Sequence, residues 1–111
     1  MASEKAMIAT LKRRVNQIPG TRIKKLWSSH VNRDIDILIV TYGLAGFYEI
    51  KQPGEKPNDW QLNQLRWWAR SGADTGWYDD IDILVAHIQD IADRAQQHIQ
   101  IIEWVLGKQS R

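Results

Sequence analysis

Three residues in the first half of the chain have the types and spacing of a divalent-cation site. Glu49 follows Asp36 after twelve intervening residues, and Lys51 comes two positions later. Carboxylate oxygens are preferred ligands of Mg²⁺, which keeps open positions for water and phosphate. A neighbouring lysine can orient or deprotonate an attacking water and neutralise charge that develops on phosphorus. The structural alternative is that Asp36 is an exposed strand residue and that Glu49 and Lys51 form a surface ion pair.

These side chains can meet only if paired strands carry them. Residues 35–40 (IDILIV) and 46–51 (GFYEIK) are short β-branched or aromatic segments, and the glycine-containing stretch between them predicts an antiparallel hairpin. A two-residue turn at Tyr42-Gly43 places Asp36 opposite Glu49. A four-residue loop over 43–46 would instead slide Asp36 along the strand without changing its face.

Alternation along the two strands predicts which side chains share a face. The isoleucines at 35, 37 and 39 point one way, and Asp36 points the other way. Glu49 and Lys51 share one face of the second strand. Two carboxylates and a lysine are therefore expected on one face of the sheet.

Helical segments surround this hairpin. Ser3 can cap a first helix that Pro19-Gly20 stops, Asn58 can cap a second helix that Gly72 ends, and a long apolar stripe from Asp79 reaches Gly107 as one helix or two stacked end to end. A short strand is indicated around 73–78. This order predicts an α/β fold with a small mixed β-sheet flanked by helices and a long C-terminal helix.

Composition fits one domain over residues 1–111. The chain is 43% hydrophobic and 25% charged, and its lack of cysteine excludes disulfides and cysteine-based zinc sites. No apolar run approaches membrane-spanning length and no signal segment is recognised, so a soluble cytoplasmic protein without membrane contact is expected.

The net charge of +2 conceals an asymmetry along the chain. Residues 1–33 hold eight basic residues and one acid, whereas the remainder holds seven basic and twelve acidic residues. Such a basic third is either a phosphate-facing surface or a solvated helix face. The candidate DNA-binding residues are Lys12, Arg13, Arg14, Arg22, Lys24, Lys25 and Arg33.

The stretch YEIKQPGEKPNDWQ, with Asp36 before it and Gln61 at its end, resembles the virus-type replication-repair nucleases (VRR-NUC). In this branch of the PD-(D/E)XK nuclease superfamily, a Gly-x-Pro-Asp strand is followed by Glu-x-Lys and then by a helix carrying glutamine. The resemblance covers residues 4 to about 84. Here RDID replaces Gly-x-Pro-Asp, so Asp34 is the alternative ligand to Asp36.

The resemblance implies a restriction-endonuclease-like core and a deoxyribonuclease that uses Mg²⁺ or Mn²⁺ to hydrolyse phosphodiester bonds. Asp36 and Glu49, with the carbonyl of Ile50, would hold the ion, and Lys51 would activate water. Gln61 would orient Lys51 or the water. Glu4 resembles the family's N-terminal acid and would assist at the edge of the site, and Lys25 resembles the lysine before the aspartate strand.

Gln61 also has a structural interpretation. With Asn58 as N-cap, a glutamine three residues later is a capping-box partner. Gln61 nevertheless shares a helix face with Leu65 and Trp68, which favours a position toward the sheet. Gln64, on another face, is the second candidate for the active-site glutamine.

Further expectations concern partners. Apolar residues on two sides of the last helix predict a homodimer, and two sites could then cut opposite strands of branched or four-way-junction DNA. Trp60 and Trp67 are expected to lie off the buried face of the helix. There they are either partly buried, stacked on bases or covered by a partner subunit. The three histidines are too scattered for a metal motif. A phage or mobile-element origin, and hence a bacterial or phage-infected host cell, is a family-level expectation.

Two other functions compete with the nuclease. The first is a non-catalytic DNA-binding module that keeps the same fold. The intact set of acids, lysine and glutamine argues against it, because two carboxylates repel a phosphate backbone unless a cation lies between them. The second is an assembly protein whose partner binds the long apolar stripe, which predicts no DNA affinity.

Overall fold

The computed structural model of the chain describes residues 3–26 and 35–109. Within these residues no helix is both long and apolar enough to cross a membrane. The helices and strands are α1 Glu4–Val15, β1 Thr21–Lys25, β2 Ile37–Thr41, β3 Leu44–Ile50, α2 Asp59–Arg70, β4 Asp74–Tyr78 and α3 Ile81–Gln109.

The described strands form one mixed sheet in the order β1-β2-β3-β4. β1, β2 and β3 are antiparallel neighbours, whereas β4 runs parallel to β3. The parallel pair is possible because α2 carries the chain back between the two strands. The predicted small mixed sheet with flanking helices is confirmed, although the sequence did not locate β1, whose TRIKK sequence is mostly polar.

A two-residue turn sets the register of the central hairpin. Tyr42 and Gly43 have positive φ angles of 47° and 86°, and Thr41 pairs directly with Leu44. Positive φ at both central positions matches the right-handed twist of hairpin strands, and glycine adopts it without steric cost. The four-residue loop over 43–46 is therefore wrong, and the ladder runs on toward Asp36.

Each face of the sheet has its own core. α1 and α3 cover one face, where Ile37, Ile39 and Tyr48 are buried. α2 covers part of the other face, where Leu65 packs with Ile35. The expectation that Ile35 shares a face with Ile37 and Ile39 is wrong, because β2 begins at Ile37 and a bend at position 36 interrupts the alternation.

α3 is a single helix that extends beyond the sheet. Its first half is anchored by Leu84 and Ile88, which are fully buried. At 1.5 Å per residue, its 29 residues span about 43 Å. Its far end is open in the single chain, where Ile101 and Trp104 are 60% and 63% exposed.

Candidate active site

The hairpin brings Asp36 and Glu49 together where β2 begins and β3 ends. The backbone N–H of Asp36 donates to Glu49 Oε2 at 3.3 Å, and the N–H of Ile50 donates to Asp36 Oδ2 at 3.0 Å. Each carboxylate thus accepts a hydrogen bond from the backbone of the opposite strand. These two bonds fix both acids in the geometry that the two-residue turn predicts.

Glu49 is a buried acid with incomplete charge compensation. Its side chain is 1% exposed, and Lys51 Nζ lies 3.6 Å from its Oε1. Burial raises the pKa of Glu49 and the nearby Asp36 raises it further, whereas Lys51 acts in the opposite direction. The alternative of a surface ion pair is wrong, because the Glu49 carboxylate is buried. With both acids ionised, the pair carries more negative charge than one lysine offsets, so a proton on Glu49 or a bound cation must balance it.

A third acid approaches from the first helix. Glu4 is the first residue of α1 and is half-buried. Its pKa is raised mainly by burial and next by the carboxylate of Asp36, while Lys51 lowers it. Glu4 therefore lies at the edge of the same cluster, beside Asp36, where it adds negative charge. Its expected assisting role stays a prediction.

Gln61 combines the two interpretations that the sequence left open. The N–H of Asn58 donates to Gln61 Oε1 at 3.0 Å, and the N–H of Gln61 donates to Asn58 Oδ1 at 2.8 Å, which is a complete capping box. Gln61 Nε2 then donates to Glu49 Oε1 at 2.7 Å. The amide oxygen thus caps α2 while the amide nitrogen holds Glu49.

This bond changes the role that was expected of the glutamine. In the structure Gln61 holds the carboxylate of Glu49, whereas the sequence predicted contact with Lys51 or the water. Gln64 instead lines a groove with Trp60, Asn63 and Trp67. The amide that reaches Glu49 is that of Gln61, and an active-site role for Gln64 stays a prediction.

The oxygen atoms available in this cluster suit a hard cation that keeps most of its bound water molecules. Asp36 and Glu49 offer carboxylate oxygens, and the carbonyl of Ile50 belongs to the peptide that joins Glu49's strand to Lys51. Among residues 3–26 and 35–109, no group of three or more His, Cys, Asp or Glu side chains is arranged to hold an ion. An ion held by two carboxylates, a carbonyl, water and substrate is typical of Mg²⁺ rather than of a closed structural site.

Register places two basic residues on the same sheet face as the acids. Arg22 pairs with Val40 and Lys24 pairs with Leu38, while Leu38 pairs with Phe47, two positions before Glu49. Directly paired residues and residues two apart share a face. The exposed side chains of Arg22 and Lys24 line a groove of about 410 Å³ with Leu38 and Val40. This groove lies on the face that carries Asp36 and Glu49.

The remaining candidate DNA-binding residues are dispersed. Lys12 and Arg13 are exposed on α1, and Lys25 is exposed at the end of β1. Arg14 forms an ion pair with Asp82 of α3, so its charge is partly neutralised within the protein. Arg33 and the alternative ligand Asp34 lie outside the described residues.

Sequence reasoning missed a second polar cluster on the opposite face of β3. The hydroxyl of Tyr48 donates to Asp74 Oδ2, and His87 Nε2 lies 2.6 Å from the same oxygen. Burial and then Asp74 raise the pKa of Tyr48, which keeps its hydroxyl protonated as a donor. Its members come from β3, β4 and α3, and no motif or spacing links them in the sequence.

The architecture matches that of a solved domain structure. A solved structure described as "VRR_NUC domain" superposes on this chain with a TM-score of 0.61 at 24% sequence identity, and the match covers 78% of this chain and 98% of that chain. At this identity the likeness establishes the fold, so the predicted VRR-NUC-like fold is confirmed. The sequence itself matches no protein-family model and no curated protein.

Proposed function

We propose that the protein is a divalent-metal-dependent nuclease that hydrolyses DNA phosphodiester bonds. The observation that carries the proposal is the convergence of Asp36 and buried Glu49 beside Lys51 at one end of the hairpin. Burying an acid against another acid is unfavourable without a compensating cation. A cation bound between the protein and a phosphate compensates the charge of the two acids.

Each residue of the cluster then has a chemical role. Asp36 and Glu49, with the Ile50 carbonyl, hold Mg²⁺ or Mn²⁺. The bound ion supplies Lewis-acid stabilisation of charge that develops on the phosphate oxygens. Lys51 orients the attacking water, takes up its proton or balances charge at phosphorus. Gln61 fixes Glu49 through the 2.7 Å bond and is a positioning residue.

Charged residues other than the proposed ion ligands also contribute to the site. Glu4 lies beside Asp36 and strengthens the local negative potential that attracts a cation.

The groove along Arg22 and Lys24 is on the same sheet face and leads toward Asp36. A DNA backbone in that groove would place phosphates against the two basic side chains. Lys12, Arg13 and Lys25 supply further positive charge, and Arg33 stays a predicted contact.

The far end of α3 supports a homodimer as part of the proposal. Its exposed apolar side chains are Ile99, Ile101, Ile102, Trp104, Val105 and Leu106. A helix with so many exposed apolar residues is typical of a surface that associates. Two copies would present two cutting sites, which fits branched DNA. A solution mass corresponding to the monomer at micromolar concentration would contradict the dimer without affecting the cleavage chemistry.

Cleavage assays separate this proposal from a non-catalytic DNA-binding module. Labelled linear and four-way-junction DNA is incubated with wild type, Lys51→Ala and Lys56→Ala in Mg²⁺, Mn²⁺ or EDTA. Lys56 is an exposed loop residue outside the cluster, so Lys56→Ala controls for the loss of one positive charge. We expect cleavage by wild type and Lys56→Ala with metal, and loss of cleavage in EDTA or with Lys51→Ala. Equal outcomes for wild type and Lys51→Ala in every condition would reject the nuclease.

A further inference from the structure

The outer side of α2 carries a groove that the proposed cleavage chemistry does not use. Its volume is about 480 Å³, within the usual range for ligand-binding clefts. Its lining residues are Trp60, Asn63, Gln64, Arg66, Trp67 and Arg70. These six residues, here called the α2 groove, include two arginines, two tryptophans and no acid.

The two tryptophan side chains of the α2 groove are unusually exposed to solvent for their size. Trp60 is 48% exposed and Trp67 is 58% exposed. Tryptophan is normally highly buried, and clustered exposed apolar surface marks a binding site. Indole faces in a groove that also contains two arginines offer stacking to a flat aromatic ring and positive charge to a phosphate.

Packing fixes the position of Trp67. Trp68 stacks on Phe47 with ring centroids 4.1 Å apart, and Trp67 meets Trp68 edge-to-face at 5.1 Å. Phe47 belongs to the core beneath α2. The exposed indole is therefore held in place before any ligand arrives, which reduces the ordering cost of binding.

The charges of the α2 groove complement a nucleic-acid backbone. Arg66 donates from Nη1 to Asn63 Oδ1 at 3.2 Å. In the described part of the chain, neither Arg66 nor Arg70 forms an ion pair with a carboxylate. Both guanidinium groups can therefore contact phosphates without breaking an internal salt bridge.

We propose that the α2 groove binds unpaired DNA bases next to the cleavage site. Bases inside a duplex already stack on one another, so the exposed indoles can pair only with bases that are unstacked. Trp60 directly precedes Gln61, which holds Glu49, so the α2 groove begins one residue along the helix from a residue of the active site. From Trp60 to Arg70 the helix rises about 15 Å, comparable to roughly four stacked nucleotides.

This inference rests on the proposed nuclease and gives it a preference for DNA that carries a single-stranded segment beside the cut, without excluding cleavage of fully paired DNA. Binding of fluorescein-labelled dT12 to the full chain is measured by anisotropy in EDTA, where cleavage does not interfere. We expect Trp67→Ala to weaken binding by roughly tenfold or more and Trp67→Phe to restore much of it. Arg70→Ala should reduce the salt dependence by about 0.7 in the slope of log K against log salt.

Two matched variants control for exposure and charge. Ile83→Ala removes an apolar side chain that is also 58% exposed, and Arg94→Ala removes a guanidinium from α3. Both should bind dT12 like wild type. Unchanged binding by Trp67→Ala and Trp60→Ala would overturn the inference. A loss of self-association without a loss of dT12 binding would also overturn it and identify the α2 groove as an interface between copies.

Cleavage of fully paired linear DNA distinguishes this inference from the proposed function. If wild type cleaves the duplex with Mg²⁺ and Trp67→Ala binds dT12 normally, the nuclease stands and the α2 groove proposal fails. If neither protein cleaves any DNA with metal, the proposed function fails, whatever the dT12 result. Weak dT12 binding by Trp67→Ala together with retained duplex cleavage supports both.

Discussion

Strand β3 presents a polar cluster on each of its faces, and the carboxylates of the two clusters have different surroundings. On one face, Glu49 lies beside Asp36, and the two acids share one lysine. On the other face, Asp74 receives the Tyr48 hydroxyl and contacts the ring of His87. With both acids ionised, the first cluster has an excess of negative charge, whereas the second contains a single acid.

The difference lies in the neighbouring charge rather than in hydrogen bonding, because Glu49 also accepts two hydrogen bonds but has a second carboxylate beside it. A carboxylate that has hydrogen-bond partners and no neighbouring acid is satisfied and contributes to stability. A buried carboxylate beside another carboxylate is destabilising and is retained where a ligand relieves the repulsion. A cation should therefore stabilise the Asp36–Glu49 side and leave the Asp74 side unaffected.

Replacing Asp36 should have the largest effect on activity. Asp36→Asn keeps an oxygen that can accept from the Ile50 N–H but removes the charge. We expect metal-dependent cleavage to fall by roughly 10³-fold, or about 4 kcal/mol in transition-state stabilisation. In EDTA the melting temperature should stay the same or rise, because repulsion with Glu49 and Glu4 is reduced. Initial cleavage rates and thermal melts are measured on the same samples.

Asp90→Asn is the matched control for this substitution, because Asp90 is exposed on α3 and lies outside both clusters. It should cleave DNA at the wild-type rate. If Asp36→Asn cleaves DNA within a few-fold of the wild-type rate, the difference in charge between the two clusters does not explain activity.

Adding the cation should give the next largest effect. Mg²⁺ at 100 times its dissociation constant raises the free energy of unfolding by about 2.7 kcal/mol if only the folded state binds it. Melting curves recorded over a Mg²⁺ titration should shift upward for wild type and not for Asp36→Asn. An equal shift in both proteins would mean that the ion stabilises the fold from elsewhere.

Disrupting the opposite cluster should affect stability without affecting chemistry. Asp74→Ala leaves the buried Tyr48 hydroxyl and the His87 ring without their shared acceptor. We expect a loss of roughly 2 kcal/mol in the free energy of unfolding, and a smaller loss for Tyr48→Phe, which removes the hydroxyl instead. Urea denaturation measures both. A tenfold loss of cleavage by folded Asp74→Ala would show that this cluster also serves the reaction.

The sequence predicted the hairpin well because its signals are local. Tyr42-Gly43 is a two-residue turn, and this turn alone sets the register that brings Asp36 to Glu49. Ile35 was assigned to the wrong face because strand alternation was extended through a bend at position 36. β1 was not located because an edge strand needs only a few apolar contacts, and TRIKK supplies one isoleucine.

Contacts between distant elements were harder to predict. The pair of Asp74 and His87 depends on how β4 and α3 pack together, which no spacing encodes. Gln61 was identified as a site residue and also as a capping residue, but the sequence could not show that one amide performs both tasks. Its bond to Glu49 requires the exact placement of α2 against β3, and that placement is a tertiary property.

The two tasks of Gln61 can be separated, and this gives the smallest expected effects. Asn58→Ala and Gln61→Ala each break the capping box, so each should lower the free energy of unfolding by about 1 kcal/mol. Only Gln61→Ala also removes the hydrogen bond to Glu49 and should lower cleavage by roughly tenfold. Urea denaturation and cleavage rates at saturating Mg²⁺ measure the two effects independently. If Asn58→Ala loses as much cleavage as Gln61→Ala, the helix start rather than the Glu49 contact governs the site, because the cap is then the only interaction that both variants lack.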